Sequence, residues 1–579
     1  MLIQKDQKKI RSILENIYKP ILPKKDINYF KDEIIQIIKN FNKKNPKKKI
    51  IISEKTSLII CYGDAVYSNE KSSIKVFQSF FQKNLKRYFD TIHFLPFYPS
   101  SSDSGFAVKD HYKIEKRIGN WSDLKKISKF NNIMADVVIN HSSARGLWFK
   151  NFLKRKKPGK DYFLTVDSKF NVSKVVRPRD HKLLKKIKIF DKSDYLWRTF
   201  SPDQIDLNFK NPSVLLRFIK IMIHLINNGI TIFRLDAIAY LWKENGTKCI
   251  NLRQTHEIIK LLRIISDHLN VETIIITETN LPEKENLSYF GKNDEANWIY
   301  NFSLPPLLIH AFLFENNTYL KKWSENLPAR KLGNNYLNFI ASHDGIGLRP
   351  AEGLLSEDEI ENLVQTMVNF GGLTSARNDK NGRKKYYEIN ISLFDALKGT
   401  EVGTDEYQID RFVCAHEIMI GLEGIPGLYI HSLLGTKNNL KKVDNTGQNR
   451  SINRHQWNYK KLTQKLDNHE SEEHVVYKKI TSRIKLRKKQ CAFHPNATQF
   501  TLHLSDSLFG FWRQSICKSQ NIFCISNIST QKQDLFFDDL NLIENQNYFD
   551  LIENKTICRK QGFTKLDPYQ TLWISNTQN

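Results

Sequence analysis

The chain of 579 residues is 40% hydrophobic and 12% aromatic, which excludes a disordered polymer and leaves room for two or three folded domains. Lysine and arginine exceed aspartate and glutamate by 89 to 61, but the lysines are spread along the whole chain, so we expect no nucleic-acid partner. No apolar stretch approaches the ~20 residues that span a membrane, and the N-terminus is charged, so we expect no membrane partner, no secretory signal and a cytoplasmic location.

The seven cysteines are scattered along the chain and form no C-x-x-C pair. Because paired cysteines are the usual signal for zinc sites and disulfide frameworks, we expect neither. The sequence carries no signal for an oligomeric state.

Residues 1–54 form a lysine-rich helical leader. Its apolar residues recur at helical spacing, namely Tyr29, Phe30, Ile34, Ile37, Ile38 and Phe41. This spacing predicts a helix that docks on the main body of the protein. We interpret the leader as a structural cap.

From residue 55 onward, short apolar runs alternate with amphipathic stretches such as 74–88. The runs predict buried strands at 57–61, 91–95, 133–139, 230–235, 273–277 and 336–342. This alternation predicts an α/β fold with a parallel sheet covered by helices, and an open doubly wound sheet fits it as well as a barrel. Polar residues that follow many different strands favour a (β/α)8 TIM barrel, whose strand ends meet at one rim: Asp103, His141, Asp236, Glu278 and Asp344.

The remaining segments interrupt or follow the barrel. We assign residues 55–141, 209–344 and 405–485 to the barrel, 142–208 to an inserted lid domain and 345–404 to a second insertion. After about residue 485 the chain consists of strand-like runs, which predicts a C-terminal antiparallel β domain over 486–579.

Three of the strand ends carry carboxylates. Arg234 and Asp236 are two apart in a strand and therefore share a side, where the arginine favours an ionised carboxylate; a structural ion pair fits the same pattern. Glu278 ends the next apolar strand, a position that also suits a helix cap, and Asp344 lies in a His-Asp-Gly turn. Glycoside chemistry requires two carboxyl groups that flank the scissile bond, so this combination points to sugar transfer.

The motifs D-V-V-I-N-H (136–141), F-R-L-D-A (233–237), T-E-T (277–279) and S-H-D (342–344) together resemble the signature of the α-amylase superfamily (glycoside hydrolase family 13). The resemblance implies that Asp236 is the nucleophile, Glu278 the acid/base and Asp344 the transition-state stabiliser. It also implies that His141, Arg234 and His343 line the glucose subsite.

Finer features resemble the sucrose phosphorylase branch of that superfamily. The loop L-P-F-Y-P (95–99) with S-D-S-G-F (102–106) implies glucosyl contacts by Asp103 and Phe106, and Q-I-D-L-N (204–208) implies one by Gln204. Tyr240 matches a tyrosine associated with phosphate. The motif N-R-S-I-N-R (449–454) implies a sugar contact that we assign to Arg450, although Arg454 competes for the same assignment.

One position departs from sucrose phosphorylases, which carry histidine where this chain has Asn280. With its flanking residues, this segment more closely resembles the glucosylglycerate phosphorylases of the same branch. The resemblance implies reversible phosphorolysis of an α-glucoside, with 2-O-α-glucosyl-glycerate favoured, to α-D-glucose 1-phosphate and the free acceptor. Sucrose phosphorolysis, hydrolysis or transglucosylation, and a non-catalytic scaffold are the alternatives.

This activity needs small-molecule sugar and phosphate partners. Inorganic phosphate is then a co-substrate, and the resemblance implies no metal or organic cofactor. Because phosphate and glycerate are both anions, we expect basic groups near the acceptor. The candidates are Tyr240, Lys243, Arg177 and Arg179, and a salt-bridge network within the lid explains the two arginines equally well.

Overall fold

The computed structural model describes residues 4–189, 192–378, 384–540, 542–543 and 547–578. Eight parallel strands close into a barrel in which neighbours along the chain are neighbours in space. They are β1 (Leu58–Cys61), β2 (Thr91–Phe94), β3 (Asn132–Val138), β4 (Ile230–Asp236), β5 (Ile274–Thr277), β6 (Trp298–Tyr300), β7 (Asn335–Asn338) and β8 (Ile425–Tyr429). The predicted (β/α)8 barrel is thereby confirmed, and an open doubly wound sheet is excluded.

The barrel strands are apolar because both of their faces are buried, one by side chains inside the barrel and one by the helices around it. All four residues of β1 and all seven of β4 are buried. The sequence patterns missed β6, which has only three residues, and β8, which contains Pro426 and Gly427. The strand predicted at 336–342 is shorter, because β7 ends at Asn338 and the following residues form a loop at the rim of the barrel.

Helices surround the barrel and also occur in both insertions and the leader. The α-helices of the described residues are α1 (Gln4–Tyr18), α2 (Lys24–Lys44), α3 (Ser73–Phe80), α4 (Trp121–Ser128), α5 (Leu147–Leu153), α6 (Pro212–Asn227), α7 (Arg253–Asp267), α8 (Glu283–Leu287), α9 (Leu304–Leu313), α10 (Thr318–Asn326), α11 (Glu357–Asn369), α12 (Leu393–Ala396), α13 (Gln408–Gly421), α14 (Ile430–Leu433), α15 (Leu440–Thr446), α16 (Tyr459–Asp467) and α17 (Glu472–Arg487). The helix predicted at 74–88 is α3 followed by a π-helical turn, Phe81–Leu85. Within the described residues, none of the helices combines the length and apolarity needed to cross a membrane.

The leader contains two helices rather than one. The predicted helical pattern lies in α2, while α1 packs against α7 of the barrel. Ile10, Leu14 and Ile17 of α1 are 0 to 1% exposed. The Tyr18 hydroxyl donates to the carbonyl of Phe209 at 3.1 Å. The leader is thus part of the main hydrophobic core.

Each expected insertion has an antiparallel sheet. Residues 142–208 contain α5 and a sheet of Thr165–Val166, Lys192–Trp197 and Leu184–Ile189, which has a small apolar cluster of its own. Residues 345–404 contain α11 and a sheet of Ile346–Gly347, Lys384–Asn390 and Leu373–Asn378. Both insertions contribute residues to the cavity described below.

The C-terminal region is an antiparallel β structure, as the strand-like runs predicted. Its main sheet has six strands in the order Thr498–Thr501, Leu508–Gln514, Asn521–Asn527, Thr571–Ser575, Phe549–Asp550 and Lys555–Thr556. A further pair is formed by Gln533–Phe536 and Phe563–Leu566. The barrel ends in α17, directly before this region.

Replacement of Leu14 by alanine tests whether the leader is part of the folded core. Leu14 is 1% exposed, and deletion of a buried leucine side chain leaves a cavity. We expect Leu14→Ala to lower the free energy of unfolding by about 2–5 kcal/mol in urea titrations. Lys9→Ala, at an exposed position of the same helix, is the control. Equal unfolding midpoints for the two variants would contradict a docked leader.

Candidate functional site

A cavity of about 500 Å³ lies at the carboxyl ends of the barrel strands. Its lining includes the three expected catalytic residues and the nine expected substrate-binding residues: Asp103, Phe106, His141, Gln204, Arg234, Asp236, Tyr240, Glu278, Asn280, His343, Asp344 and Arg450. These residues lie in β4, in the loops after β2, β3, β4, β5 and β7, and in the segment after β8, so the fold collects them as the rim of a barrel does.

Arg234 is the centre of the site. It is 3% exposed, and its position in β4 lies opposite Asp136 of β3. Its guanidinium contacts Asp136, lies 2.8 Å from Asp236, and is 3.8 Å from Glu278 and 3.9 Å from Asp344. Burial alone lowers the pKa of Arg234, but the surrounding carboxylates raise it well above its ordinary value. One permanently charged group therefore neutralises part of a four-carboxylate cluster.

Asp136 anchors this arginine from inside the barrel. Its carboxylate is fully buried and also contacts the His93 ring at 2.8 Å. Burial raises the pKa of Asp136, but Arg234 and His93 outweigh that effect and hold it below its ordinary value. Asp136 is part of the motif at 136–141 but was not selected as a site residue, and among the cavity-lining residues it does not occur. It acts on the site through Arg234.

Asp236 and Glu278 are held next to each other. Ala237, directly after Asp236, has a left-handed backbone (φ 51°), and its N–H donates to a Glu278 carboxyl oxygen at 2.8 Å. A left-handed conformation is costly for a residue with a Cβ and occurs at functional sites where the surroundings enforce it. The strand-to-loop turn therefore fixes the second carboxylate relative to the first.

The carboxyl groups of Asp236 and Glu278 influence each other's ionisation. Burial raises the pKa of both carboxyls, Arg234 opposes this, and the negative charge of Glu278 adds to the rise at Asp236. Two adjacent carboxylates do not both ionise readily, so they titrate as a pair. Arg234 donates directly to Asp236 and lies a further ångström from Glu278, so its charge stabilises the ionised form of Asp236 more strongly than that of Glu278.

Asp344 belongs to a second ion cluster. Arg450 donates to Asp344 and, through two nitrogens, to Glu388 of the second insertion. Burial raises the pKa of Asp344, but Arg450, His343 and Arg234 together hold it far below its ordinary range. Asp344 is thus an anion at all working pH values, which suits a group that stabilises positive charge.

The inner wall of the cavity combines aromatic and polar side chains. The Phe106 and His343 rings stack with centroids 5.0 Å apart, and Gln204 donates to Asp103 at 3.3 Å. His141 contacts the Phe106 carbonyl at 3.1 Å. Such a mixture of ring faces and hydrogen-bonding groups suits a hexose, which has apolar faces and polar edges.

The structure also separates the two competing arginines of the late motif. Arg450 lines the cavity, whereas Arg454 does not occur in its lining and is 3% exposed. Arg454 donates to the His343 carbonyl at 2.9 Å and to Ser104 at 2.9 Å. It supports the loops behind the wall, and the assignment of the cavity position to Arg450 agrees with the geometry.

Of the expected acceptor-side groups, Tyr240 and Arg179 line the cavity and two others do not. Lys243 was wrongly expected there: it is 3% exposed, with its amine 2.5 Å from Asp206 and 2.9 Å from the Asn140 side chain. The positive charge of Lys243 is therefore paired with Asp206 inside the protein. Arg177 points away as well, because it donates to the His181 carbonyl within the lid.

The cavity residues that the sequence patterns did not select include three with large polar side chains, Arg349, Tyr387 and Glu388. All lie in the second insertion, where the chain has no strand-helix rhythm to mark a functional position. Tyr387 and Glu388 share the short run Y-Y-E-I-N, an alternation typical of a strand, but nothing in that run indicates a partner for the glutamate. Within the described residues, no group of three or more His, Cys, Asp or Glu side chains is arranged to hold a metal ion.

Comparison with known proteins gives matches over most of the chain. The family described as "Alpha amylase, catalytic domain" matches residues 83–346. Glucosylglycerate phosphorylase of Escherichia coli (strain K12) is 38% identical over 523 residues, which cover 90% of this chain and 92% of that protein. Sucrose phosphorylase of Bifidobacterium adolescentis is 26% identical over 477 residues, 79% of this chain and 89% of that protein.

A solved structure shows the same fold. The crystal structure of sucrose 6F-phosphate phosphorylase from Thermoanaerobacter thermosaccharolyticum superposes with a TM-score of 0.71 and covers 83% of this chain and 94% of that chain. The two sequences are 24% identical in the aligned region.

Replacement of Glu278 by glutamine tests the raised pKa of its carboxyl group. Because that pKa lies above the unfolded value of about 4.3, the folded protein takes up a proton between the two values, and stability falls as pH rises through this window. Glutamine cannot ionise, so we expect Glu278→Gln to unfold at higher urea concentration than the wild type at neutral pH. The difference is expected to vanish below about pH 4, where both side chains are neutral.

Glu388→Gln is the matched control, because its expected change in stability has the opposite sign. Burial raises the pKa of Glu388, but Arg450 and Arg179 hold it below its ordinary value. Its ionised form therefore stabilises the fold above the unfolded pKa, and this contribution is lost as pH falls through the folded pKa. We expect the variant to be less stable than the wild type at neutral pH and to converge with it in acid. Two variants that shift in the same direction would contradict the protonation states assigned here.

Proposed function

We propose that this chain, which belongs to the α-amylase family together with the glucosylglycerate phosphorylases, is a retaining glycoside phosphorylase. Its favoured reaction is the reversible conversion of 2-O-α-glucosyl-glycerate and inorganic phosphate into α-D-glucose 1-phosphate and glycerate. It is an enzyme of the hexosyltransferase type. Relatives named glucosylglycerate phosphorylase are 35 to 38% identical over most of the chain, whereas the sucrose phosphorylases reach 26 to 27%.

One arrangement supports this activity above all others: Arg234 lies 2.8 Å from Asp236 and 3.8 Å from Glu278, and Glu278 also accepts a hydrogen bond from the Ala237 N–H. A retaining reaction requires one carboxylate to attack and another to donate a proton. The closer contact of Arg234 with Asp236 supports Asp236 as the attacking carboxylate and Glu278 as the proton donor. Asp344, held as an anion by Arg450, faces the positive charge that develops on the sugar.

In the first half-reaction, an oxygen of Asp236 forms a bond to the anomeric carbon, and the bond from that carbon to the glycerate oxygen breaks. Glu278 gives its proton to the departing oxygen, and a β-glucosyl-enzyme results. Glycerate leaves the enzyme as a free carboxylate anion.

In the second half-reaction, hydrogen phosphate occupies the place that glycerate has left. Glu278, now ionised, accepts the proton of the attacking phosphate oxygen, which bonds to the anomeric carbon while the Asp236 ester breaks. Two inversions give net retention, so the product is α-D-glucose 1-phosphate.

In this proposal inorganic phosphate is the co-substrate and no further cofactor takes part, because Glu278 supplies the proton and the two arginines balance the carboxylates. Tyr240 and Arg179 lie on the cavity wall where an anionic acceptor fits. Phosphate and glucose 1-phosphate are charged and cross membranes poorly, so we place the activity in the cytoplasm.

Incubation of the protein with α-glucose 1-phosphate and different acceptors tests this reaction in the synthetic direction. We expect release of inorganic phosphate with D-glycerate and much less with D-fructose, glycerol or no acceptor. Release with fructose instead would identify a sucrose phosphorylase. Release without any acceptor would identify a hydrolase on the same carboxylates.

The role of Glu278 is tested by the dependence on the leaving group. General acid catalysis contributes roughly 10²–10⁴-fold, so we expect Glu278→Gln to slow cleavage of glucosyl-glycerate by that factor. The first turnover of α-glucosyl fluoride, followed by fluoride release, needs no protonation and is expected to change far less. Asp236→Asn is the comparison, because loss of the nucleophile slows both donors. An equal loss of rate with both donors in Glu278→Gln would contradict the role of Glu278 as the general acid.

A further inference from the structure

The arginines that line the cavity fall into two groups. Arg234 and Arg450 are bonded to carboxylates, as described above. Arg179 and Arg349 form no ion pair with any described residue. Arg179 lowers the pKa of Glu388 without forming an ion pair with it, and Glu388 is already bonded to Arg450, so among the described residues neither Arg179 nor Arg349 has a carboxylate of its own. An anionic ligand is the natural counter-charge for these two cations.

Arg349 has unused hydrogen-bonding capacity. Its Nε is buried and has no hydrogen-bond partner among the described residues, and its Nη1 makes only a long contact of 3.5 Å with the Tyr240 hydroxyl. A buried donor without a partner costs free energy that a ligand recovers when it binds. A guanidinium also presents paired N–H groups that match carboxylate and phosphate oxygens.

The backbone holds Arg349 in place. Leu348 donates its N–H to the Tyr387 carbonyl at 3.1 Å, and the Ser303 hydroxyl donates to the Pro350 carbonyl at 3.0 Å. Leu348 is 1% exposed. Both neighbours of Arg349 are therefore fixed, so a ligand bound by Arg349, which lines the cavity, costs little backbone freedom.

Arg349 lies on the acceptor side of the cavity. Gly347, two residues earlier, packs so closely on Asn280 that a Cβ at position 347 would lie 2.5 Å from the Asn280 amide. Asn280 follows the acid/base Glu278 by two residues, and its Oδ1 is a buried acceptor without a partner among the described residues. The segment that carries Arg349 is thus packed against the chain on the side where the leaving group is protonated.

On the basis of the proposed function, we propose that Arg349 is the residue that selects an anionic acceptor. Its guanidinium binds the carboxylate of glycerate in one half-reaction and the incoming phosphate in the other, while Arg179, whose guanidinium lies 5.0 Å from the Tyr387 ring, contributes the second charge. Glycerate and phosphate then compete for one subsite on the glucosyl-enzyme. An uncharged acceptor such as glycerol gains nothing from this contact.

The test compares a charged and an uncharged acceptor in Arg349→Gln with glucose 1-phosphate or α-glucosyl fluoride as donor. A hydrogen bond to a charged group contributes about 1.5–3 kcal/mol, so kcat/KM for glycerate relative to glycerol is expected to fall by roughly 10- to 150-fold. Arg349→Lys, which retains the charge, is expected to recover part of the ratio. Arg177→Gln, outside the cavity lining, is the control with an unchanged ratio.

Two measurements keep this test independent of the proposed function. The apparent affinity for inorganic phosphate, measured as its effect on the breakdown of α-glucosyl fluoride, is expected to weaken in Arg349→Gln even if the wild type does not use glycerate. Failure of glycerate in the wild type overturns the proposed acceptor alone. An unchanged phosphate affinity and an unchanged acceptor ratio in Arg349→Gln, with a wild-type thermal unfolding midpoint, overturn the role of Arg349.

Discussion

The contact of one buried guanidinium with four carboxylates is the constraint on which the site depends. Arg234 joins Asp136, Asp236, Glu278 and Asp344, which the chain supplies from β3, β4 and the loops after β5 and β7. An unpaired buried charge costs several kcal/mol, so neither the cation nor the anions are stable there alone. The cluster forms only when the barrel closes and its strands adopt their register. Fold and site are therefore mutually dependent.

The unequal distances within this cluster create two different carboxyl groups from similar residues. Asp236 receives a direct hydrogen bond from Arg234, and Glu278 receives one from a backbone N–H instead. Asp344 is held by a separate cation, Arg450, and stays ionised. The geometry around two arginines thus suits the proposed roles of a nucleophile, a proton donor and a fixed anion. In the same proposal Arg179 and Arg349, which form no ion pair with any described residue, bring positive charge to the acceptor side.

Sequence patterns succeeded where a function follows from a position at a strand end, and failed where it depends on a turn or an insertion. Lys243 lies three residues after Tyr240, yet the left-handed Ala237 and the turn that follows direct it to Asp206. The strand β8 was missed because Pro426 and Gly427 weaken a strand pattern locally, and only pairing on both sides makes the strand stable.

The sequence by itself determined the barrel class and the chain order of the three carboxylates, because alternating apolar runs and strand-end polar residues are local signals. Only the tertiary structure decided which cation meets which carboxylate, and that Glu388 and Arg349 line the cavity. Those properties depend on distances between residues about one hundred positions apart and on burial, which raises the pKa of Glu278. These distances and this burial are established only when the barrel has closed and the insertions have docked upon it.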